Sequence, residues 1–225
     1  MIRLDPRLDD EDEPDAPDEP DVPEPRGPEP KEPSDNRTLA SPINELESRL
    51  LKQRKVLIFG AINDKLARDV TGRLLALASE GDAPIDVFVN SPGGHVESGD
   101  TIHDIIRFVA DAVPVRMVGT GWVASAGALI YLAAEKKNRV CLPNTRFLLH
   151  QPMGGVRGPA TDIDIEAREI IKMRERINRI IARETGQSYD KVVDDTDRNY
   201  WMGAEEAIAY GMCDRVVQSA KELSA

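Results

Sequence analysis

The stretch VRMVGTGWVASAGA, residues 115–128, carries the pattern that decides the fold. Its apolar beginning, Val115–Val118, is typical of a buried strand, and the Ala-rich continuation predicts a helix from Ser125 to about Glu135. Small residues flank Ser125 on both sides. The stretch therefore predicts a strand that feeds directly into a helix, with a serine at the junction.

The same alternation of strand and helix runs along most of the chain from about residue 41. Apolar runs predict strands at 56–59, 85–89, 115–118, 139–142, 146–149 and 215–217. Helical spacing predicts helices at 66–79, 125–135, 162–184 and 204–210, and one after residue 98 for which Ser98 is the expected cap. Repeated β-α units of this kind predict the α/β class, a mainly parallel sheet with helices on its faces, and one long helix.

The N-terminal segment differs in composition from the rest. Residues 1–36 hold nine prolines and fourteen acidic residues against four basic ones, a net charge of −10 within a total of −11. Such a segment has too little apolar surface to offset the entropy of ordering. We expect residues 1–40 to be a disordered acidic tail and residues 41–225 to form one domain. The tail is either a solubilising spacer or a docking arm for a basic partner.

Composition argues against several classes of protein. No apolar run approaches the ~18–20 residues that span a membrane, and the N-terminus lacks the apolar core of a secretory signal. Cys141 and Cys213 sit in apolar contexts without metal-ligand spacing, which favours buried, reduced thiols in the cytoplasm. No broad basic face indicates nucleic-acid binding. We expect no metal and no cofactor.

Ser125 is the candidate nucleophile. A hydroxyl at a helix N-terminus lies beside unpaired N–H groups and the positive end of the helix dipole, which stabilise a developing oxyanion. The Ala126 N–H is the natural donor. The turn NSPGG, residues 90–94, offers the Gly94 N–H as a second donor, because a glycine pair lets the backbone face a bound carbonyl. An ordinary small residue at a helix start and an ordinary glycine turn are the alternatives.

The chain has three histidines, so the choice of general base is narrow. His150 ends a predicted strand, where loops commonly hold catalytic groups. His95 follows the glycine pair and approaches the same site, whereas His103 lies within a predicted helix. Position favours His150 over His95.

Four motifs recur in order along the chain: NSPGG at 90–94, GWVASAGA at 121–128, CLPN at 141–144 and HQPMGG at 150–155. Together they resemble the proteolytic subunit of Clp proteases, over about residues 42–220. The resemblance implies a serine peptidase on the crotonase-like α/β fold. It implies that Ser125 is the nucleophile, that His150 is the general base, and that the Gly94 and Ala126 N–H groups form the oxyanion hole.

The resemblance also implies an assembly of two stacked seven-membered rings that hydrolyses peptides and unfolded proteins inside a chamber, fed by an AAA+ unfoldase of the Clp type. Four residues would lie beside the bound peptide: Gly154, Gly155, Val156 and Arg157. Asp162 and Arg198 would pair across the two rings.

The third catalytic position departs from the family pattern. The family usually has aspartate where this chain has Asn199. Asparagine offers a neutral carbonyl to the imidazole; in a trypsin-type triad the aspartate-to-asparagine change costs about 10⁴-fold, yet papain-like enzymes use asparagine as the orienting residue. We therefore expect a working peptidase that is weakened or conformationally gated. Asp195 and Asp197 are alternative carboxylates, and a solvated acidic turn is the simpler interpretation of both.

Two further readings remain open at this point. The acidic tail replaces the apolar-flanked N-terminal hairpin of the family, and with Asn199 it favours a regulatory or scaffolding subunit in a mixed ring. The other alternative is an acyl-CoA hydratase or isomerase on the same type of fold. Such an enzyme needs a carboxylate near the oxyanion hole, for which Glu97 is the candidate.

Overall fold

The computed structural model describes residues 42–223, with side chains from residue 45 onward. The predicted tail, residues 1–40, lies outside this range. The strands are β1 (Lys55–Phe59), β2 (Ile85–Ser91), β3 (Val115–Ala124), β4 (Arg139–Cys141), β5 (Arg146–Leu149), β6 (Tyr200–Met202) and β7 (Arg215–Val216). The α-helices are α1 (Pro42–Lys52), α2 (Asp64–Glu80), α3 (Val96–Ala110), α4 (Ala126–Tyr131), α5 (Ala160–Thr185), α6 (Tyr189–Thr196) and α7 (Ala204–Tyr210).

The strands form one sheet in which a continuous path runs β1-β2-β3-β4-β7, with every neighbouring pair parallel. Strand β5 pairs in parallel with β3, and β6 pairs antiparallel with β5. The side chains of β2 alternate between buried and half-buried along its length, as expected for a sheet covered by helices. The predicted α/β class with a mainly parallel sheet and a long helix is confirmed.

Strand β3 divides its pairing between two neighbours. Its first half, Met117–Gly119, pairs with β4, and its second half, Trp122–Ala124, pairs with β5. Gly121 stands at the division with φ +61, and a Cβ there would lie 2.8 Å from the Asn90 side-chain oxygen. The division brings the carboxyl ends of β3 and β5 side by side, which places the residues that follow them next to one another.

Helix α4 leaves the end of β3 and is buried along its whole length. It packs closely on α3, since a Cβ added at Gly99 would lie 3.1 Å from the Ala126 Cβ. This close packing fixes the direction in which the chain turns after β3.

Several predicted bounds change. Strand β3 continues to Ala124, six residues beyond the predicted end. The helix expected to reach Glu135 ends at Tyr131, where a tighter bond from the Ala133 N–H to the Ile130 carbonyl replaces the α-helical pattern. Helices α1 and α6 and strand β6 were not predicted.

The prediction that Ser98 caps a helix is wrong. Helix α3 begins at Val96 with His95 as its N-cap residue. The Ser98 hydroxyl donates to the Asp64 carboxylate instead of accepting from an N–H of its own helix.

Within residues 42–223, no helix is both long enough and apolar enough to cross a membrane.

Candidate active site

Ser125 occupies a sharp turn between β3 and α4. Its backbone has φ +56 and ψ −124, a conformation that is strained for a residue with a side chain. Its N–H donates to the Leu148 carbonyl at 3.0 Å, and its own carbonyl accepts from the Ala128 N–H at 2.9 Å. These bonds tie the turn to β5 on one side and to α4 on the other, so the serine is held at the strand-to-helix junction.

Gly93 packs directly against the nucleophile position. A Cβ at Gly93 would lie 2.5 Å from the Ser125 Cβ and 3.0 Å from its Oγ, and the Gly93 backbone has φ +95. Only glycine fits both the space and the conformation. Gly93 of the NSPGG turn therefore lies against the serine.

The two predicted oxyanion donors lie next to Gly93 and to Ser125 in the chain: Gly94 follows Gly93, and Ala126 follows the serine. Gly94 has φ +151, and within the described residues its N–H donates to no other group of the protein. The Ala126 N–H is the first of α4, so no turn of helix precedes it to supply an acceptor. Two unpaired N–H groups beside a hydroxyl can stabilise a negatively charged tetrahedral oxygen.

His150 follows β5, the strand next to the end of β3. Because Ala124 pairs with Leu148, Ser125 and His150 lie at neighbouring strand ends. Partial burial lowers the pKa of the imidazole, and an interaction with the Asn199 side chain acts in the opposite direction. Among the described residues the Ser125 hydroxyl makes no hydrogen bond to His150, and such bonds often tighten only with substrate bound.

Asn199 lies opposite His150 because β6 runs antiparallel beside β5, with Tyr200 facing Leu149. The neighbouring residue Gln151 secures this arrangement. Its N–H donates to the Thr196 carbonyl at 2.7 Å, and its side chain donates to the Asp197 carbonyl at 2.8 Å. The segment that carries Asn199 is thus bonded to the residue that follows the histidine.

The alternative carboxylates are engaged elsewhere. Asp195 accepts from the Tyr210 hydroxyl at 2.8 Å and pairs with Lys191 at 2.7 Å. Asp197 pairs with Arg174 of α5 at 3.3 Å. The residue that the structure brings beside His150 is Asn199.

The other two histidines have different surroundings. His103 is buried in α3, with Nδ1 3.0 Å from the Asp104 carboxylate. His95 contacts Ser98 and Asp64, and its Nε2 lies 3.3 Å from Glu97. Glu97, the carboxylate required by the hydratase reading, therefore faces His95.

The remaining predicted site residues lie on exposed parts of the chain. Gly154–Arg157 has no regular secondary structure and connects His150 to α5. Asp162 is in the first turn of α5, and the side chain of Arg198 is 95% exposed. Within one chain, the described contacts of Arg198 and Asp162 do not join them.

Sequence reasoning missed three features that support the site. Gln151 and Arg174 hold the Asn199 segment, and the Asp64–Ser98 contact holds the turn that precedes α3. Of these residues, only Gln151 could have been singled out from the sequence, because it is part of the HQPMGG motif. Within residues 45–223, no group of three His, Cys, Asp or Glu side chains is placed to hold a metal ion.

Comparisons with known proteins agree with this geometry. The description of the Clp protease family matches residues 40–220. The chain is 77% identical over 189 residues to ATP-dependent Clp protease proteolytic subunit 2 of Gluconobacter oxydans, a match covering 84% of this chain and 85% of that protein. It is 61% identical over 179 residues to the proteolytic subunit 3 of Rhizobium meliloti, covering 80% and 91% of the two chains.

Solved structures give the same result. A ClpP1 variant from Listeria monocytogenes, in which an asparagine is replaced by aspartate, superimposes with a TM-score of 0.73 at 53% identity, covering 79% of this chain and 99% of that one. The unsubstituted ClpP1 gives a TM-score of 0.71 at 54% identity over the same shares. Matched over four fifths of its length in sequence and in fold, the chain belongs to the Clp protease family.

Proposed function

We propose that this chain is the proteolytic core subunit of an ATP-dependent Clp-type protease, a serine endopeptidase that cleaves peptides and unfolded proteins. The observation that carries the proposal is the junction at Ser125. A strained strand-to-helix turn there holds a hydroxyl at the start of α4, packed against Gly93 and next to the strand end that carries His150.

The arrangement supports acyl transfer in two stages. His150, kept neutral because burial lowers its pKa, takes the proton of the Ser125 hydroxyl as the oxygen attacks the peptide carbonyl. The tetrahedral oxygen is stabilised by the Gly94 and Ala126 N–H groups. The intermediate collapses as His150 returns the proton to the leaving amine, and water then hydrolyses the acyl-serine by the same route.

Asn199 is the third member of the site. As the neighbour of His150 it keeps the imidazole in one orientation, with its side-chain oxygen accepting from the ring N–H. It supplies no negative charge to the imidazolium that forms during proton transfer. The exposed segment Gly154–Arg157 is the surface on which we place the substrate backbone, since it leads directly away from His150.

The proposed assembly is a pair of stacked rings of this chain, with Asp162 and Arg198 pairing between rings. A groove of about 490 Å³ between α1, β1 and α2 offers a surface for an unfoldase, and its lining combines apolar side chains with charged ones, among them Leu50, Phe59, Lys65 and Asp69. We place the enzyme in the cytoplasm, because Cys141 and Cys213 are both free with their sulfurs 3.7 Å apart.

A purely regulatory subunit is not favoured, since the similar proteins are named proteolytic subunits.

Fluorophosphonate labelling with fluorogenic-peptide hydrolysis tests the proposal on the purified full chain. We expect wild type to label and hydrolyse, Ser125→Ala to lose both, and His150→Ala to lose nearly all hydrolysis. Ser79→Ala, a surface serine on α2, is the matched control and should behave like wild type. Intact rings of wild type that neither label nor hydrolyse would contradict the proposal and favour a scaffold.

A further inference from the structure

The NSPGG turn is bonded along its length to the segment that follows β1. The Gly60 N–H donates to the Asn90 carbonyl at 2.9 Å, and the Ser91 hydroxyl donates to the Gly60 carbonyl at 2.6 Å. The Ile62 N–H donates to the Gly93 carbonyl at 2.9 Å. The turn therefore takes its position from residues 60–62 as well as from its own strand.

Gly94 is pressed against this segment. A Cβ at Gly94 would lie 2.3 Å from the Ile62 carbonyl oxygen, and the next N–H, that of His95, donates to that same oxygen at 3.0 Å. With backbone contacts on both sides, the direction of the Gly94 N–H depends on the separation between residue 62 and the start of α3.

Side chains at the start of α2 and at the start of α3 bond to one another and hold residue 62 and α3 at a fixed separation. Ser98, 2% exposed on α3, donates its hydroxyl to the Asp64 carboxylate at the start of α2, at 2.5 Å. Its single proton is thereby used, so its oxygen accepts from the His95 Nδ1–H at 2.9 Å. His95 Nδ1 also lies 3.5 Å from the Asp64 carboxylate. Asp64 is only two residues after Ile62, and Ser98 is only four residues after Gly94. The bond between them therefore links the residue that supports the turn to the helix that follows the turn.

We propose that Asp64, Ser98 and His95 form a positioning clamp that sets the direction of the Gly94 N–H, the oxyanion donor. The clamp touches neither the substrate nor the reacting atoms. It acts by holding the start of α3 at a fixed distance from Ile62, and it rests on the proposed peptidase function. Its contribution is therefore expected in the transition state, where the oxyanion exists, more than in substrate binding.

Steady-state kinetics on Ser98→Ala and Asp64→Ala, in the full chain, test the clamp. Loss of one oxyanion donor costs about 10²–10³ in kcat, so a misdirected donor should lower kcat by about tenfold with KM nearly unchanged. Ser98→Thr, which keeps the hydroxyl, should recover most of the rate. Asp104→Ala is the matched control, because Asp104 also pairs with a histidine on α3 but lies away from the turn.

A peptide boronic acid gives a readout that a general loss of stability would not move. The Ser125 oxygen bonds to boron, its proton passes to His150, and one boron hydroxyl occupies the oxyanion hole. Boronate affinity should fall by the same factor as kcat, while the melting temperature and the particle size stay close to wild type. Asp64, whose side chain is largely exposed, decides the matter if Ser98→Ala does not fold.

Equal kcat and equal boronate affinity in Asp64→Ala and wild type would overturn the clamp while leaving the peptidase function intact. A wild-type protein that neither labels at Ser125 nor hydrolyses peptide would instead overturn the proposed function itself.

Discussion

Asn199 is the residue at which this chain departs most from a charged Ser-His-Asp arrangement. A carboxylate next to an imidazole stabilises its protonated form and raises its pKa by about 1–3 units. Here burial lowers the pKa of His150, and the hydrogen bond to the neutral Asn199 amide acts in the opposite direction. The base therefore stays neutral to a lower pH than a free imidazole does, but Asn199 gives the imidazolium formed in the transition state no counter-charge.

Replacing Asn199 by aspartate should change both rate and pH dependence. We expect kcat/KM on the alkaline plateau to rise by about tenfold, the factor that corresponds to one pKa unit. The acid limb of the profile should move to higher pH, because a raised pKa keeps His150 protonated over a wider range. A pH profile of kcat/KM for both proteins measures this. Asn138→Asp adds the same charge far from the site and should leave the pH profile unchanged. If the acid limb of the profile has the same position in Asn199→Asp and in wild type, Asn199 does not control the pKa of the imidazole.

Glycine at position 93 is required by two independent constraints, a close approach to Ser125 and φ +95. Gly93→Ala should lower the rate of fluorophosphonate labelling by about 100-fold or more, since the added methyl displaces the nucleophile by a distance to which catalysis is sensitive. Gly72→Ala in α2 makes no close contact, so it should retain the rate and stabilise the fold by about 0.5–1 kcal/mol. Comparable labelling of the two variants would contradict the packing argument.

At the level of secondary structure, the sequence was informative wherever a strand was a continuous apolar run. β1, β2 and β5 were predicted to within two residues at each end, and α7 was predicted at both bounds. Such runs reflect burial on both faces, which is a property of the residues themselves. The base could be proposed because His150 directly follows the β5 run, and the nucleophile because Ser125 begins the Ala-rich stretch that predicted α4.

The support of the site could not be predicted, because it joins residues far apart in sequence. Strand β6 has three residues, and its place beside β5 is decided by the packing of α6 and by the Gln151–Asp197 bond. Ser98 looked like a helix cap from its type and position. It instead bonds a carboxylate 34 residues earlier, a partner that no local pattern indicates.

Helix α5 contacts the segment before Asn199 through the Arg174–Asp197 ion pair and through a hydrogen bond from the Thr196 hydroxyl to Asn178. Arg174 contacts Asp197, which Gln151 also binds, so the helix steadies the segment that carries Asn199. Exposed ion pairs contribute about 0–1 kcal/mol, so Arg174→Gln should lower kcat by about two- to fivefold with little change in melting temperature. Arg168→Gln removes an exposed ion pair with Asp164 on the same helix and should change neither kcat nor the melting temperature. Equal kcat in the two variants would show that the Arg174–Asp197 pair does not steady Asn199.

A single chain leaves apolar side chains uncovered along α5 and the segment before it. Met153 is 82% exposed, and Ile163, Ile165 and Ile171 are each more than two fifths exposed. Large exposed apolar side chains can mark an interaction surface. The three isoleucines lie on the same helix as Asp162, so the proposed contact between rings would cover part of them with a second copy.

The proposed pairing of Asp162 with Arg198 across rings makes a charge-swap experiment decisive. Arg198→Glu places like charges together and should separate the double ring into single rings, seen as a halved particle mass by native mass spectrometry. Because Arg198 directly precedes Asn199, hydrolysis should fall with it. Combining Arg198→Glu with Asp162→Arg restores opposite charges and should recover both the particle and the rate. Arg68→Glu on α2 reverses an exposed charge away from this surface and should change neither, whereas a double variant that stays as single rings would show that the two residues are not partners.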